Sequence, residues 1–282
     1  METFVSNLDH YIGAYAITTD SSDNVIVVGY AKLGSASSTP YGALISKYNS
    51  SGQIQWKRGL NTSNQYHHDY AYGVAVDSSD NIYMCGSCAN YSSTDCLIAK
   101  YDASGNLQWQ KALGDRYTSN EDRFRDITVD SSDHIYATGH SEKPTGNDDT
   151  IIAKYDTSGN LVWQKYIQND AKGKAIDTDS SGNVYVLSEN IRDAGGAGGS
   201  DLYFVKLNSS GNVEWQRTLG GAYNELTFEL CVDSSDNLYI SGNTRSPSLN
   251  THTQLLLAKL PTDGSLVGTY DGLIYQSLSL NT

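Results

Sequence analysis

The chain is poor in several residues and segments that mark particular protein classes. Its 282 residues include only four cysteines, four prolines and two methionines. No stretch approaches the roughly 18 consecutive apolar residues that indicate a membrane-spanning helix. The first ten residues, METFVSNLDH, lack the basic and apolar segments of a secretory signal peptide. We therefore expect neither a membrane span nor a signal peptide.

Basic residues are also scarce. The chain has 19 lysines and arginines against 32 aspartates and glutamates, which gives a formal net charge of −13. Proteins that wrap nucleic acid or dock on anionic membranes need a positive field at their surface. The charge balance therefore argues against nucleic acid as a partner and against docking on an anionic membrane, and without an apolar span we expect no membrane insertion.

The four cysteines do not make a recognisable metal site. Cys85 and Cys88 form a single C-x-x-C, and no second cysteine pair or histidine pair follows at the spacing of a zinc site. We expect Cys85, Cys88, Cys96 and Cys231 to be reduced structural thiols, and we expect no metal and no cofactor.

The same pattern occurs five times along the chain. In each copy an aspartate closes a short apolar run and begins a turn such as DSSDN, a lysine ends a third run, and in four copies a tryptophan follows a second turn. Regular copies of about 50 residues indicate a repeat architecture. The recurring residues are Asp20, Asp77, Asp130, Asp179 and Asp233; Lys47, Lys100, Lys154, Lys206 and Lys259; and Trp56, Trp109, Trp163 and Trp215.

Each copy predicts four strands joined by tight turns of Asp, Ser, Asn and Gly. The second and third runs, such as 81–86 and 96–101, are apolar at nearly every position, which is typical of strands covered on both faces. The fourth run alternates like a half-exposed edge strand. We predict an all-β fold, a five-bladed β-propeller of four-stranded antiparallel blades. A β-sandwich, the alternative, would not explain such regular copies.

The motif D-S-S-x-N-x-Y-x-x-G, followed by A-K-Y-D-x-S-G-N-L-x-W-Q-K, resembles the repeat of bacterial and phage proteins called seven-bladed β-propeller (SBBP-type) repeats. The resemblance covers residues from about 14 to 268, with five copies here rather than seven. It implies a propeller. It implies little about activity, since such repeats occur in cell-surface, secreted and virion proteins.

We expect a single domain over residues 1–270, with a C-terminal extension or closing strand at 271–282. The fifth copy has Gly268 in place of the tryptophan, so its own fourth strand is predicted to be weak. Residues 2–8 are one candidate to close the last blade, and the alternating segment 272–280 is the other. The blades are expected near residues 14–60, 70–113, 124–167, 173–219 and 227–268.

The recurring residues predict scaffold contacts at one end of each blade and binding at the other. We expect the aspartate and lysine to pair at the strand ends and the tryptophan to cover the seam between blades. The second connection and the link to the next blade leave at the opposite end and differ in length and chemistry, so we expect a glycan or protein to bind at this variable rim. The candidate ligand-binding residues are Tyr66, His67, His68, Asp69, Tyr70, Glu121, Asp122, Arg123, Tyr223, Asn224 and Glu225.

Three more specific hypotheses have less support than ligand binding at the variable rim. A metal at His67 and His68 is disfavoured because adjacent residues of an extended chain point in opposite directions. The segment 177–183 resembles the start of a calcium loop but lacks the twelfth-position glutamate, so an Asx-type turn is favoured. A glycosidase needs two carboxylates about 5 to 10 Å apart. Glu121, Asp122, Glu225 and Glu229 are possible donors, and no motif selects a pair.

The sequence therefore predicts a non-enzymatic binding or attachment module. A virion tail or receptor-binding protein and a cell-surface adhesin both fit, with carbohydrate or protein as the partner. The alternatives are a glycoside hydrolase-like enzyme with carboxylates at the channel mouth, and a purely structural subunit whose rim contacts other subunits of an assembly.

Overall fold

The computed structural model describes twelve stretches of the chain, which consist of β-strands and the turns that join them. In these stretches no helix has the length and hydropathy needed to cross a membrane. The described residues are 12–32, 40–61, 68–90, 93–114, 121–143, 148–168, 171–192, 200–221, 224–244, 253–265, 268–270 and 273–277.

The strands form five sheets that follow the five copies of the sequence pattern. The first sheet contains β1 (Ile12–Thr19), β2 (Val25–Lys32), β3 (Tyr41–Tyr48) and β4 (Ile54–Leu60). The second contains β5 (Tyr70–Val76), β6 (Ile82–Asn90), β7 (Ser93–Tyr101) and β8 (Leu107–Leu113). The third contains β9 (Asp122–Val129), β10 (Ile135–Glu142), β11 (Asp148–Tyr155) and β12 (Leu161–Ile167).

The last two sheets depart from the four-stranded pattern. The fourth has the order β13-β14-β15-β16-β21-β20, and the fifth has three strands in the order β17-β18-β19. All strand pairs whose register is defined are antiparallel. The strands are β13 (Lys172–Thr178), β14 (Val184–Arg192), β15 (Ser200–Leu207), β16 (Val213–Gly220), β17 (Leu226–Val232), β18 (Leu238–Thr244), β19 (Gln254–Leu260), β20 (Gly268–Tyr270) and β21 (Leu273–Ser277).

The chain divides into two compact units. The first comprises residues 1–129 and 157–160, and the second comprises residues 130–156 and 161–282. In the first unit β5 packs against β1 to β3, and β9 packs against β5 to β7. In the second, β13 packs against β10 and β11, and β17 packs against β13 to β15. The first strand of a sheet is thus the one that contacts the preceding sheet, and the predicted single domain stays a prediction.

The turn after the first strand of each sheet is an Asx-type turn, as predicted. The carboxylate of Asp77 accepts the backbone N–H groups of Ser79 and Asn81, at 3.0 and 2.8 Å. Asp80 has a φ of 62°, a left-handed conformation that Asp tolerates better than most residues. The predicted pairing of aspartate and lysine is confirmed in the first two sheets, with Nζ–Oδ2 distances of 2.7 Å for Lys47–Asp20 and 3.7 Å for Lys100–Asp77.

The recurring tryptophan lies at the contact between one sheet and the next, as predicted. Trp56 Nε1 donates a hydrogen bond to the carbonyl oxygen of Ala103, in the last turn of the second sheet, at 3.2 Å. The indole ring lies over Gly105, where a Cβ atom would be 2.6 Å from the ring. Gly105 also has a φ of 79°, so the turn and the indole both require glycine here. Trp163 and Trp215 repeat the contact in the second unit.

The C-terminal strand differs from the expectation that segment 272–280 completes the fifth blade. β21 pairs with β16, at the outer edge of the fourth sheet, with Arg217 opposite Ser277 and Gly220 opposite Ile274. Tyr275 is buried, and its ring lies 6.2 Å from that of Phe204 in the same sheet. The apolar contact available on that sheet therefore explains the pairing. Residues 2–8, the other closing candidate, lie outside the described residues.

We expect Trp56→Ala to lower the free energy of unfolding by about 3 kcal/mol, because the change removes a nearly buried indole from a sheet contact. Trp56→Phe keeps a ring over Gly105 and loses the hydrogen bond to Ala103, so its loss should be about 1 kcal/mol. Urea unfolding followed by circular dichroism measures both. Equal midpoints for the wild type and Trp56→Ala would contradict the packing role.

Candidate functional site

Eight of the eleven predicted ligand-binding residues are described, and three of these eight are buried. Asp69, Asp122 and Glu225 each stand eight residues before a closing aspartate, and their exposed fractions are 0%, 8% and 0%. Their carboxylates therefore lie inside the protein rather than on the rim. The other three predicted residues, Tyr66, His67 and Tyr223, lie outside the described residues.

The buried acids anchor the links between sheets. The backbone N–H of Asp69 donates to the carbonyl oxygen of Tyr41, the first residue of β3, at 2.9 Å. Its Oδ1 accepts the N–H of Ala89 at 2.9 Å. In the second unit, the N–H of Glu225 donates to the carbonyl oxygen of Ser200, the first residue of β15, at 2.8 Å. At both positions the acid holds the incoming link against the third strand of the preceding sheet.

The remaining predicted residues differ in their exposure. Glu121 is exposed and forms an ion pair with Arg123, which is partly buried. Asn224 is exposed, and its Oδ1 accepts the N–H of Ser200 at 2.9 Å. His68 is exposed, and its Nδ1 accepts the N–H of Tyr41 at 2.9 Å.

His68 and Tyr70 belong to a continuous group of six aromatic side chains in the first unit. Neighbouring ring centroids lie 4.8 to 6.4 Å apart, within the range of favourable aromatic pairs. Tyr15 is 52% exposed, and the other four tyrosines are partly buried, so the rings form a surface rather than a core. We call this group the aromatic site: Tyr15, Tyr30, Tyr41, His68, Tyr70 and Tyr72.

The aromatic site lies at the end of the sheets where the connections vary. Tyr30 and Tyr41 flank the second connection of the first sheet, and His68 and Tyr70 end the link to the second sheet. The rings meet at several angles, from 17° between Tyr70 and Tyr72 to 85° between Tyr30 and Tyr41. Ring faces and ring edges are therefore both present in one surface.

Two members of the site occupy β-bulges. The register between β1 and β2 shifts between Ala14 and Ala16, and the register between β5 and β6 shifts between Ala71 and Gly73. Tyr15 and Tyr72 are the extra residues, and a bulge re-aims such a side chain away from the regular alternation of the strand.

In the first two sheets a glycine of the second strand gives the bulge its room, whereas the fourth sheet has the bulge with Ser188 at this position. A Cβ atom on Gly86 would lie 1.9 Å from the carbonyl oxygen of Tyr70, and one on Gly29 would lie 1.9 Å from that of Gly13. Any side chain at these positions would collide with the backbone of the first strand. The glycine in the motif Y-x-x-G is therefore required by the close approach of two strands.

The bulge position carries four different side chains in the five copies. It stands five residues before the closing aspartate, and register shifts mark it at Lys174 and Phe228 in the second unit as well. Sequence reasoning missed Tyr15, Tyr30, Tyr41 and Tyr72 as members of a surface. A column-by-column comparison of the copies would have found this position, because it varies inside an otherwise repeated strand. Its residues are Tyr15, Tyr72, Arg125, Lys174 and Phe228.

Arg125 extends the aromatic site with a positive charge. Its guanidinium carbon lies 4.6 Å from the ring centroid of Tyr72, which is a cation–π distance. Burial and the neighbouring tyrosines raise the pKa values of Tyr15 and Tyr70. These phenols are therefore protonated at neutral pH and can donate hydrogen bonds.

The equivalent positions of the fourth sheet carry charge instead of aromatic rings. Lys174 forms an ion pair with Glu189, and Lys172 Nζ lies 3.1 Å from Asp148 Oδ2. The same backbone positions thus present rings in one unit and ion pairs in the other.

Glu225 has a strongly perturbed carboxyl group. Burial raises its pKa to about 7, and the nearby carboxylate of Asp201 also raises it. Hydrogen bonds from the N–H of Gly221 and from Thr244 Oγ1, each 3.1 Å long, oppose this shift. A carboxyl with such a pKa has the acidity of a catalytic acid, but this one has no exposed surface.

The described residues do not gather a metal site. No group of three or more His, Cys, Asp or Glu side chains within the described stretches is arranged to hold a metal ion. Asp179 accepts the N–H groups of Ser181 and Asn183, as an Asx-type turn requires, and Asp177 Oδ2 accepts the N–H of Val232 in β17 at 2.8 Å, so both carboxylates hold backbone groups. All four cysteines are free thiols, and only Cys231 is exposed.

Comparison with known proteins identifies the repeat. Residues 62–87 match the family model described as SBBP, β-propeller repeat. The chain contains an SBBP β-propeller repeat. The resemblance found in the sequence is thereby confirmed, and the match includes most of the link and the first two strands of the second sheet.

The whole-chain match to a curated protein is distant. A WD repeat-containing protein of Acanthamoeba polyphaga mimivirus, itself uncharacterized, is 26% identical over 261 residues, which are 82% of this chain and 16% of that protein. The chain thus spans less than a fifth of the length of that relative.

Solved structures show the fold alone. A protein of unknown function from Dyadobacter fermentans has a TM-score of 0.55 at 8% identity, over 95% of this chain and 83% of its own. The β-propeller domain of the Trilobed protease from Pyrococcus furiosus has a TM-score of 0.49 at 11% identity, over 87% and 69%. At 8% identity, the likeness to the Dyadobacter fermentans protein shows the fold and carries no statement about activity.

We expect the buried Glu225 to make stability fall as pH rises from about 4.5 to about 7. The folded protein keeps a proton that the unfolded chain has already released in this range, so each pH unit costs up to about 1.4 kcal/mol. Glu225→Gln should flatten the slope, because glutamine has no carboxyl group that titrates in this range. Urea unfolding at several pH values measures this. A wild-type slope that Glu225→Gln retains would contradict the assignment.

Only Cys231 should react with a thiol reagent in the native protein. Burial raises the pKa values of the Cys85 and Cys96 thiols well above their usual range, so few thiolates form there, and Cys88 is buried as well. Mass spectrometry after iodoacetamide should show one modification, which Cys231→Ser abolishes, and four after unfolding. More than one modification in the folded state would contradict the burial.

Proposed function

We propose that the five sheets are the blades of one five-bladed β-propeller. The five closing aspartates, the SBBP match and the repeated packing of first strands within each unit support it. The fourth sheet has β21 and β20 beside its four consecutive strands, and the fifth sheet has three strands; the fifth copy has Gly268 in place of the tryptophan. In this arrangement the first strands line the centre, and the variable connections share one rim.

We propose further that the protein is a non-enzymatic binding module that holds a glycan at the aromatic site. The observation that carries this proposal is the continuous surface of six rings at the end where the connections vary. Aromatic faces pack against the apolar C–H faces of sugar rings, while phenol and imidazole groups hydrogen-bond to hydroxyls. Core tyrosines would be covered, whereas Tyr15 presents half of its surface to solvent.

A protein ligand would use the same surface, since tyrosine is enriched at protein interfaces too. Glycan is the preferred class because ring faces and phenol hydroxyl groups lie side by side in this surface, and sugar rings offer C–H faces and hydroxyl groups to match both. Binding to a glycan array distinguishes the two ligand classes.

Hydrolysis of a glycan is not favoured. A glycosidase needs two carboxyl groups that flank an accessible bond. Of the four candidate acids, Asp122 and Glu225 are buried, and Glu121 is held in an ion pair with Arg123. A purely structural role remains the third alternative, in which the aromatic site contacts another subunit.

We place the protein on a virion or a cell surface, as an attachment protein. The distant mimivirus relative supports a viral setting, and repeats of this type support an extracellular one. Attachment would require the rim to face outward, with the uniform turns toward the rest of the assembly.

Tyr15→Ala should weaken binding to the glycan found on an array by about tenfold, equivalent to about 1.4 kcal/mol, because it removes the most exposed ring of the site. Tyr166→Ala is the matched control, since Tyr166 is an exposed tyrosine of the outer strand β12 and does not belong to the site. Isothermal titration measures both.

The same experiment separates the alternatives. Two results together would contradict the binding proposal. The first is that no glycan on the array gives a signal, and the second is that Tyr15→Ala leaves a complex between this chain and another subunit of the assembly unchanged. Release of reducing ends from a polysaccharide panel, lost in Glu121→Gln or Glu225→Gln, would establish an enzyme instead.

A further inference from the structure

Two positions of the first strand determine which side chains each sheet places near the aromatic site. They stand seven and five residues before the closing aspartate. In the second copy they are Tyr70 and Tyr72, and in the third copy they are Arg123 and Arg125. β5 and β9, which carry these pairs, pack against each other within the first unit. A pair of rings therefore adjoins a pair of arginines.

Arg125 brings its charge to the edge of the aromatic site. The guanidinium lies over Tyr72, at 4.6 Å, and the ring of Tyr72 lies 5.0 Å from that of the exposed Tyr15. The charge also acts on the phenol of Tyr15, where it lowers the pKa against the larger opposing effect of burial. One residue thus separates the cation from the most exposed ring.

A guanidinium that stacks on a ring uses its face for that contact, and its N–H groups lie in its plane. These groups match a carboxylate or a sulfate, which can accept two parallel hydrogen bonds. The rest of the chain is strongly acidic, with a net charge of −13, so a polyanion gains nothing from the general field of the protein. A local cation beside a stacking surface is what such a ligand requires.

We propose that the aromatic site binds an acidic glycan, with a sugar ring on Tyr15 and Tyr72 and its carboxylate or sulfate on Arg125. This inference rests on the proposed function and narrows its ligand class. Uronic acids and sulfated sugars share the anionic group, and the two arms of the test distinguish them.

The test compares two matched pairs of ligands by isothermal titration. The first pair is an oligogalacturonate and the same oligomer with its carboxyl groups reduced to alcohols. The second pair is dextran sulfate and dextran. The wild type should bind the acidic member of at least one pair about tenfold more tightly, and raising sodium chloride from about 50 to about 500 mM should reduce that preference.

Arg125→Gln should remove the preference, so that the acidic and the neutral member of the pair bind with equal affinity. Arg58→Gln is the matched control, because Arg58 also stacks on an aromatic ring, at 5.6 Å from that of Trp56, but lies on the outer strand β4. It should keep the preference. Thermal unfolding of each variant shows that the fold is retained.

Equal affinity for both members of each pair, or a preference that survives Arg125→Gln, would overturn the inference. If Tyr15→Ala still weakens the binding of both members of a pair equally, the proposed glycan-binding function stands without the acidic-glycan inference. Binding of neither pair would also overturn the acidic-glycan inference, and the proposed function would then be judged by the array alone.

Discussion

One backbone carbonyl in the last turn of a sheet receives the two recurring side chains of the sheet before it. The oxygen of Ala103 accepts Lys47 Nζ at 3.1 Å and Trp56 Nε1 at 3.2 Å. A carbonyl oxygen has two lone pairs, so these two donors fill its capacity. The rest of each unit depends on this contact, because it fixes how far one sheet is rotated from the next. The same pair of donors reaches Thr157 from Lys100 and Trp109, and Ser209 from Lys154 and Trp163.

The scaffold and the candidate site therefore occupy opposite ends of the strands. The tryptophan contact at the turns repeats from sheet to sheet within each unit, and it requires particular residues at fixed places. The other end carries no such requirement, so rings, arginines or ion pairs can occupy equivalent backbone positions. Tyr72 and Lys174 illustrate the result, since both are bulge residues with unrelated chemistry.

Much of the scaffold could be predicted from the sequence because its determinants are local and repeated. The Asx-type turns, the pairing of Lys47 with Asp20 and the position of Trp56 all follow from residues that recur in register. The partner of β21 could not be predicted. The alternation of its residues indicates a strand, but the choice of edge depends on which sheet offers apolar contact and free backbone groups.

The candidate site was only partly predictable. His68 and Tyr70 were found because they lie in a variable link, whereas Tyr15 and Tyr72 lie in strands where alternation would assign a side chain to one face or the other. The bulge breaks that alternation, and no local sequence pattern in the strand indicates it. The prediction for Asp69 was wrong in the opposite way. As a polar residue in a link it was expected on the rim, but it is buried and anchors the link.

The bulge also has a consequence for how this scaffold can change. Its extra residue makes no demand on the pairing of the two strands, because the neighbouring positions carry the register and Gly86 gives the backbone its room. Substitutions there alter the chemistry shown to a ligand while the sheet keeps its hydrogen bonds. The bulge positions therefore form a set of sites at which substitutions can change the ligand specificity while the fold is kept.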